Sequence, residues 1–365
     1  MKIAIITPVY SIAGVPLAQH RFARALASKN FKVDLIIGFL PTDLHPPEIP
    51  GVSINILNKN NVRKMFFKLI SIFKREKYDL IFSAEDHLNI VVIFAKYFSY
   101  SNSLISASSR VTPYDTYSNN LFSKGWILKQ LTKLTMKKAD VLSCVSKDMV
   151  KQYKSIFKSS THQCIYNIVD DTESREKMHE HLEHPWINRD KYSIIIASGR
   201  LAEWKGFEDL IRAMPLILKE QNVKLIILGD GPLKSHLKSV IGELNLNSFV
   251  DLAGYVDNPF KYYKNSDVFV LSSYVEGLPN VLVEAMMCGC TPVSTDCPTG
   301  PSEVLQRGKY GYLVPMHNPR MLAQGVIRAL KSPIPKILLD EAIKPFNSDE
   351  VLKSHFKALN LTSVI

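Results

Sequence analysis

Short apolar runs and amphipathic stretches alternate along the whole 365-residue chain. "KIAIITPV" (2–9) and "KVDLIIGF" (32–39) are unbroken apolar runs of strand length, the pattern of parallel strands buried on both faces. Between them "LAQHRFARALAS" has helical spacing. "DLIFSAE", "SLISASS" and "DVLSCVS" continue the strand series, each with a polar residue near its end. The spacing predicts helices over 62–77, 87–97, 121–138 and 146–157. The second half repeats the logic. "SIIIASG", "KLIILGD", "VDLAGYV", "DVFVLSS" and "TPVSTD" read as strands, with helices over 205–220, 232–245, 258–264, 280–288 and 318–331. Two successive runs of βα alternation predict an α/β protein of two facing, doubly wound domains, with ligands beyond the carboxyl ends of the strands.

The boundary falls near "CIYNIVDDTESREKMHEHLEHPW" (164–186), which leaves a strand-like segment and turns polar. His179, His181 and His184 lie there without a Cys or carboxylate at ligand spacing, so a solvated linker is expected rather than a zinc site. The expected domains are 1–167 and 168–345, followed by a terminal segment, 346–365, with helical apolar spacing at Val351, Leu352, Phe356 and Leu359 behind Ser348 as a candidate cap.

Composition is that of a folded protein, with 46% hydrophobic and 22% charged residues. The five cysteines, Cys144, Cys164, Cys288, Cys290 and Cys297, form no CxxC pair and are expected as reduced thiols of a cytoplasmic protein. Neither a signal peptide nor a spanning segment is expected. The charge changes the picture. Residues 1–168 hold 23 Lys and Arg against 10 Asp and Glu, a net of +13, whereas residues 169–365 hold 22 against 24, a net of −2. The basic half is expected to face something anionic.

Candidate chemistry gathers at strand ends of the second half. "SGRLAEWKG" puts Arg200 and Lys205 after a strand, two cations able to clamp a diphosphate, or simply a charged surface loop. Gly254, in "LAGYVDNP", lets the backbone approach a flat ring or only makes a turn. In "YVEGLPNVLVEAMMCG", Pro279 lies near the start of a helix and Gly289 at its end. Amides around Leu278–Val281 then offer an anion site. Glu276 precedes that helix and Glu284 lies inside it, two carboxylates suited to sugar or ribose hydroxyls. The plain alternatives are a capping Glu276 and a solvent-facing Glu284.

Taken together, Gly-Arg-x4-Lys-Gly, Gly-Asp-Gly-x-Leu, Glu-Gly-x-Pro-x4-Glu and a Gly-x2-Glu turn, in this order, resemble the retaining glycosyltransferases of family 4. The resemblance covers nearly the whole chain, is strongest from Ser198 to Pro315, and includes "YNIVD" at 166–170. It implies the GT-B architecture, two facing Rossmann-like domains: an acceptor domain first, a nucleotide-sugar domain second, and a last helix returning to the first. It implies that Arg200 and Lys205 hold the donor diphosphate, Glu276 the donor sugar, Glu284 the ribose, the Gly277, Leu278, Pro279 and Asn280 turn the sugar and phosphate, and Tyr255 and Val256 the base. "TGP" at 299–301, before Glu303, would shape the floor beside the sugar.

The first domain departs from the family. Where a Gly-Gly turn is usual, Gly14 follows Ala13; where a His is frequent, the chain reads Ser108, Ser109, Arg110. Glu85, Asp86 and His87 at one strand end, with Ser108 and Arg110 at the next, are the acceptor-side candidates, the first three alternatively helix caps. No Asp-x-Asp triplet is present, and the cations with a helix dipole can stabilise a leaving group alone, so no metal and no other cofactor is expected. The expected activity is retaining transfer of a hexose or N-acetylhexosamine from a nucleoside-diphosphate sugar, UDP being favoured by the resemblance, to a glycan or lipid-linked acceptor in surface polysaccharide synthesis. A nucleotide-sugar epimerase, an inverting transferase on the same architecture and a non-catalytic binding protein are the rivals. An oxidoreductase lacks its GxGxxG, and no nucleic-acid motif accompanies the basic half.

One basic segment stands out. On a helix, residues 62–77 gather Arg63, Lys64, Lys68, Lys74, Arg75 and Lys77 on one side, with Phe67 among them, and Val62, Met65, Phe66, Leu69, Ile70, Ile72 and Phe73 on the other. The expected partner is an anionic membrane surface, at the inner face of the cell membrane.

Overall fold

Strands form where apolar residues run without interruption, because both faces of a parallel sheet are covered by helices. Ile3, Ala4, Ile5 and Ile6 are fully buried, as are Ile194, Ile195, Ile196 and Ala197 in the second half. In the computed structural model, which describes residues 1–11, 14–42, 44–187 and 191–364, these runs build two separate parallel sheets. The chain divides into two compact units, Met1–Ile168 with Ser348–Ile365, and Val169–Asn347.

The first unit holds β1 (Lys2–Val9), β2 (Lys32–Phe39), β3 (Val52–Ile56), β4 (Leu80–Ala84), β5 (Leu104–Ser109), β6 (Val141–Cys144) and β7 (Gln163–Cys164) in the order β3-β2-β1-β4-β5-β6-β7. The order reverses between β1 and β4. Crossovers from β3 to β4, β4 to β5 and β5 to β6 step the same way across the sheet, so right-handed connections put their helices on one face. Helices Val62–Glu76, Asp86–Ser99 and Lys124–Met136 pack side by side there. Helix Gly14–Ser28 and the terminal helix Ser348–Ala358 pack together, with Phe356 stacked on Phe31 and His355 against Phe22 and Phe82.

The second unit holds β8 (Ser193–Ser198), β9 (Val223–Leu228), β10 (Val250–Gly254), β11 (Val268–Leu271), β12 (Thr291–Thr295) and β13 (Tyr312–Val314) in the order β10-β9-β8-β11-β12-β13. Here the order reverses between β8 and β11.

The expected linker is not a solvated one. Residues Thr172–Lys177 form a helix capped by Asp171, whose carboxylate accepts the Ser174 amide at 2.7 Å. Met178 and Leu182 are buried, and Asn258 holds the segment through Lys177 O and Glu180 Oε2 at 2.8 and 2.9 Å. Its apolar residues are too sparse for a helical period but enough to dock the segment on the second unit. His184 packs against Trp186 and meets Asp251 at 3.1 Å. All five cysteines are free thiols. Among the described residues, no helix is long and apolar enough to cross a membrane.

Candidate active site

In a doubly wound sheet the loops on either side of the order reversal diverge and leave a crevice at the carboxyl edge. In the second unit those loops follow β8 and β11, and they carry Arg200, Lys205 and Glu276. Lys205 ends a short 3-10 turn, Glu203–Lys205, and its Nζ meets Glu276 Oε1 at 2.6 Å. The two side chains are 18% and 10% exposed, so this is a largely desolvated ion pair. Arg200, exposed, stands at the mouth of the same loop.

Three contacts fasten the two loops together. Ser272 Oγ donates to Lys205 O at 2.8 Å, the Tyr274 amide donates to Trp204 O at 2.8 Å, and the Tyr274 hydroxyl donates to Asp209 at 2.8 Å. The approach is close enough to demand Gly206, whose φ is +61° and whose missing Cβ would strike Ser272 O. On the far side, the Thr299 hydroxyl donates to Glu276 O. A Cβ on Gly300, φ +93°, would lie 2.5 Å from Pro279 Cδ. The "TGP" turn therefore presses directly on the Glu276–Pro279 loop.

Helix Asn280–Cys288 starts at this edge, with Pro279 as its N-cap and Gly289 as its left-handed end. Glu276 is not its cap, because no side chain caps it and the carboxylate is engaged by Lys205. Glu284 is only 5% exposed, so it is not a solvent-facing residue of this helix. The expected cradle of amides is narrower than its sequence suggests. Pro279 has no N–H and the Asn280 amide donates to Leu278 O at 3.0 Å, which leaves Gly277, Leu278 and Val281. Tyr255 is exposed and Val256 half-buried just beyond β10.

In the first unit, Gly14, φ +61°, opens the helix after β1, and Ala13 lies outside the described residues. Glu85 follows β4 with φ +82°, rare for a residue with a side chain, and makes no capping bond. Its Oε2 meets His87 Nε2 at 3.2 Å, and burial raises its affinity for a proton. Asp86 is an internal hub: it accepts from Ser109 Oγ at 2.5 Å, from the Tyr153 hydroxyl at 2.5 Å and from the Tyr117 hydroxyl. Ser108 is buried beside them, its carbonyl accepting the Glu85 amide at 2.9 Å. Arg110, next after β5, buries its Nε and Nη1 without a hydrogen bond.

Sequence reasoning missed Ser272, Tyr274 and the bond from Thr299 to Glu276, since each joins segments more than twenty residues apart that meet only across the sheet edge. It missed His355, brought near Arg110 by the terminal helix. A cavity of about 380 Å³ lined by Lys264, Cys288 and Lys336 opens at the opposite edge of the second sheet, and none of the candidate residues lines it.

The description "Glycosyl transferases group 1" matches residues 180–344. The chain is 33% identical over 320 residues to an uncharacterized glycosyltransferase of Methanocaldococcus jannaschii, covering 82% of this chain and 78% of that one. It is 31% identical over 315 residues to the N-acetylgalactosamine-N,N'-diacetylbacillosaminyl-diphospho-undecaprenol 4-alpha-N-acetylgalactosaminyltransferase of Campylobacter jejuni, covering 82% of each. Among solved structures, Anabaena Alr3699/HepE in complex with UDP superposes with a TM-score of 0.78 at 18% identity, over 99% of this chain and all of that one. That likeness shows the fold, the GT-B class.

Proposed function

Because the chain belongs to the group 1 glycosyl transferases, we propose that it moves a hexose or N-acetylhexosamine from a UDP-sugar to a lipid-linked glycan, with retention and without a metal. The broad activity is that of its family: it is a hexosyltransferase that draws on a nucleotide sugar. The finer reading is carried by one observation, the desolvated Lys205–Glu276 pair at the β8/β11 crevice, beside the start of the Asn280 helix.

The roles follow from charge. When the bond from the anomeric carbon to the diphosphate breaks, its electron pair stays on phosphate oxygen. Lys205, Arg200 and the amides of Gly277 and Leu278 meet that growing negative charge, and the helix dipole adds to them. Positive charge grows on the sugar, beside the Glu276 carboxylate, which also accepts its hydroxyls. Glu284 takes the ribose hydroxyls, and Tyr255 and Val256 line the base. The acceptor hydroxyl attacks from the face the diphosphate leaves and gives its proton to the departing phosphate oxygen, since among the described residues no separate nucleophile stands in the site.

The Campylobacter relative is named for a diphospho-undecaprenol acceptor and an alpha linkage, and the Anabaena protein was solved with UDP. Those names support the lipid-linked acceptor, the retention and the base. The basic face of helix Val62–Glu76 supports work at the inner face of the cell membrane, as a step of surface polysaccharide assembly.

A donor-hydrolysis screen tests the reading. Incubated with UDP- and GDP-sugars, the wild type should slowly release UDP and keep doing so in EDTA. Release from GDP-sugars alone would reverse the base. Activity lost in EDTA and restored by Mg2+ would end the metal-free mechanism.

A further inference from the structure

Arg110 is a half-buried cation with one edge of its guanidinium left unbonded. It follows β5 at the carboxyl edge of the first sheet, one strand from the order reversal, where ligands of such sheets bind. Its Nε and Nη1 are buried and make no hydrogen bond, and it forms no ion pair among the described residues.

The groups around it supply charge at a distance but no acceptor for these N–H groups. Glu85 attracts the guanidinium through space but does not bond to it, and its Oε2 is turned to His87 at 3.2 Å. Asp86 accepts from the hydroxyls of Ser109, Tyr117 and Tyr153 and makes no bond to Arg110. Cys144 is a buried thiol whose proton is held tightly. His355 faces the same guanidinium and stays neutral, its pKa pushed down to about 3 by burial and by Arg110. Burial also pulls Arg110 itself down to about 10, which leaves it charged at neutral pH. Buried N–H groups left without an acceptor are costly, and an oxyanion offering two oxygens to the fork removes the cost.

We propose that Arg110 is the anion-binding residue of the acceptor subsite and takes a phosphate or diphosphate carried by the acceptor. This rests on the transferase reading above. Phosphate fits better than a carboxylate because the surrounding unit is basic throughout, with 23 Lys and Arg against 10 Asp and Glu in residues 1–168. A field of that sign favours the more highly charged anion.

The test uses the full chain with Arg200→Ala and Lys205→Ala, so that the cations of the donor diphosphate site are gone. Inorganic pyrophosphate, titrated by calorimetry, should bind this protein, and adding Arg110→Gln should weaken it at least about tenfold. Arg110→Met guards against a folding artefact. Removing buried N–H groups that make no bond should leave the melting temperature of the free chain no lower and abolish the stabilising shift given by pyrophosphate. A lower melting temperature with the shift retained would make Arg110 structural and refute the proposal, as would equal pyrophosphate affinity with Arg and Gln. Phosphatidylcholine vesicles with and without a polyprenyl diphosphate separate the two sources. Arg110-dependent sedimentation with the loaded vesicles assigns a lipid-borne phosphate. Arg110-dependent binding of pyrophosphate alone assigns a soluble phosphorylated acceptor. A wild type that consumed no nucleotide sugar yet bound pyrophosphate through Arg110 would sink the transferase reading and leave this site standing.

Discussion

Lys205 and Glu276 are each other's counter-charge in the free protein, so neither can be removed without stranding the other. Breaking such a desolvated pair costs a few kcal/mol before any substrate is considered. Glu276→Gln is the milder change, because the amide keeps the shape and can still accept a hydrogen bond. It should lower turnover at least about tenfold with little loss of UDP affinity, since the charge matters most as the sugar turns cationic. Lys205→Ala should lower both, as the diphosphate is present before and during transfer. Steady-state kinetics beside UDP calorimetry will separate the two, and wild-type turnover in Glu276→Gln would take that residue out of the site. Arg200, Lys205 and Glu276 stood out as candidates because each follows a strand end within a short loop, and Glu284 because it lies in the helix that the Glu276 loop opens. What holds them was not. Ser272, Tyr274 and Thr299 act through bonds to loops far off in sequence, and their residue types are those of any loop.

Elements were legible where their apolar pattern was unbroken. β1 and β2 span the residues expected, as does helix Asn280–Cys288. β3 was missed because an edge strand is only half covered, and "VSINI" alternates where its neighbours run continuously. β13 has three residues, too few for any period, and helix Lys336–Ile343 hides behind Pro333 and Pro335. Helix Val62–Glu76 was legible in both its faces. Met65, Leu69, Ile72 and Phe73 are buried, the six cations are exposed, and Phe67 is 80% exposed. What the fold adds is its neighbours. Phe66 touches Phe98 of helix Asp86–Ser99 at 5.9 Å, and Tyr97, Phe98 and Tyr100 are all more than half exposed. Helix Lys124–Met136, on the same face, has no carboxylate and continues into exposed Lys137 and Lys138. Aromatic rings among cations on an acid-poor face suit lipid headgroups better than water. At about 1 kcal/mol per cation, changing Lys64, Lys68 and Phe67 together should weaken binding to anionic vesicles by about a hundredfold. Sedimentation should also fall with added salt. Equal recovery on neutral and anionic vesicles would mean the face is only a solvated one.

Across the whole molecule the two units differ in the titratable groups that tie their stability to pH. The terminal helix Ser348–Ala358 belongs to the first unit, where Val351, Leu352, Phe356 and Leu359 are buried. Its apolar spacing was visible in the sequence; which core it covers is a matter of topology and was supplied only by the resemblance. It also brings in His355, the third buried neutral histidine of that unit after His20 and His162. Burial pushes all three below the ordinary value of 6.5, His20 and His162 to about 4 and His355 to about 3. The unfolded chain takes a proton at these sites as pH falls through 6.5, while the folded chain cannot until pH 4 or below. Stability is therefore unaffected above the unfolded value and is lost on descending from it. At pH 4 the loss is roughly 3 kcal/mol per group, and three such groups compete with the roughly 5–15 kcal/mol that holds a domain. The second unit meets acid later. Glu208, held below the ordinary glutamate value by a hydrogen bond from His236, and Glu341, held there by Tyr310, lose their contributions only as pH falls below about 4.5. Between pH 6.5 and 4.5 the first unit should thus weaken while the second holds. Calorimetric scans across that range check this, with the first unit followed through Trp126 fluorescence after Trp186→Phe and Trp204→Phe. Its transition should fall steadily, and His355→Leu, which keeps the packing against Phe22 and Phe82, should remove part of the fall. A first-unit transition that stays in place across that range would show that these histidines reach their protons in the folded chain.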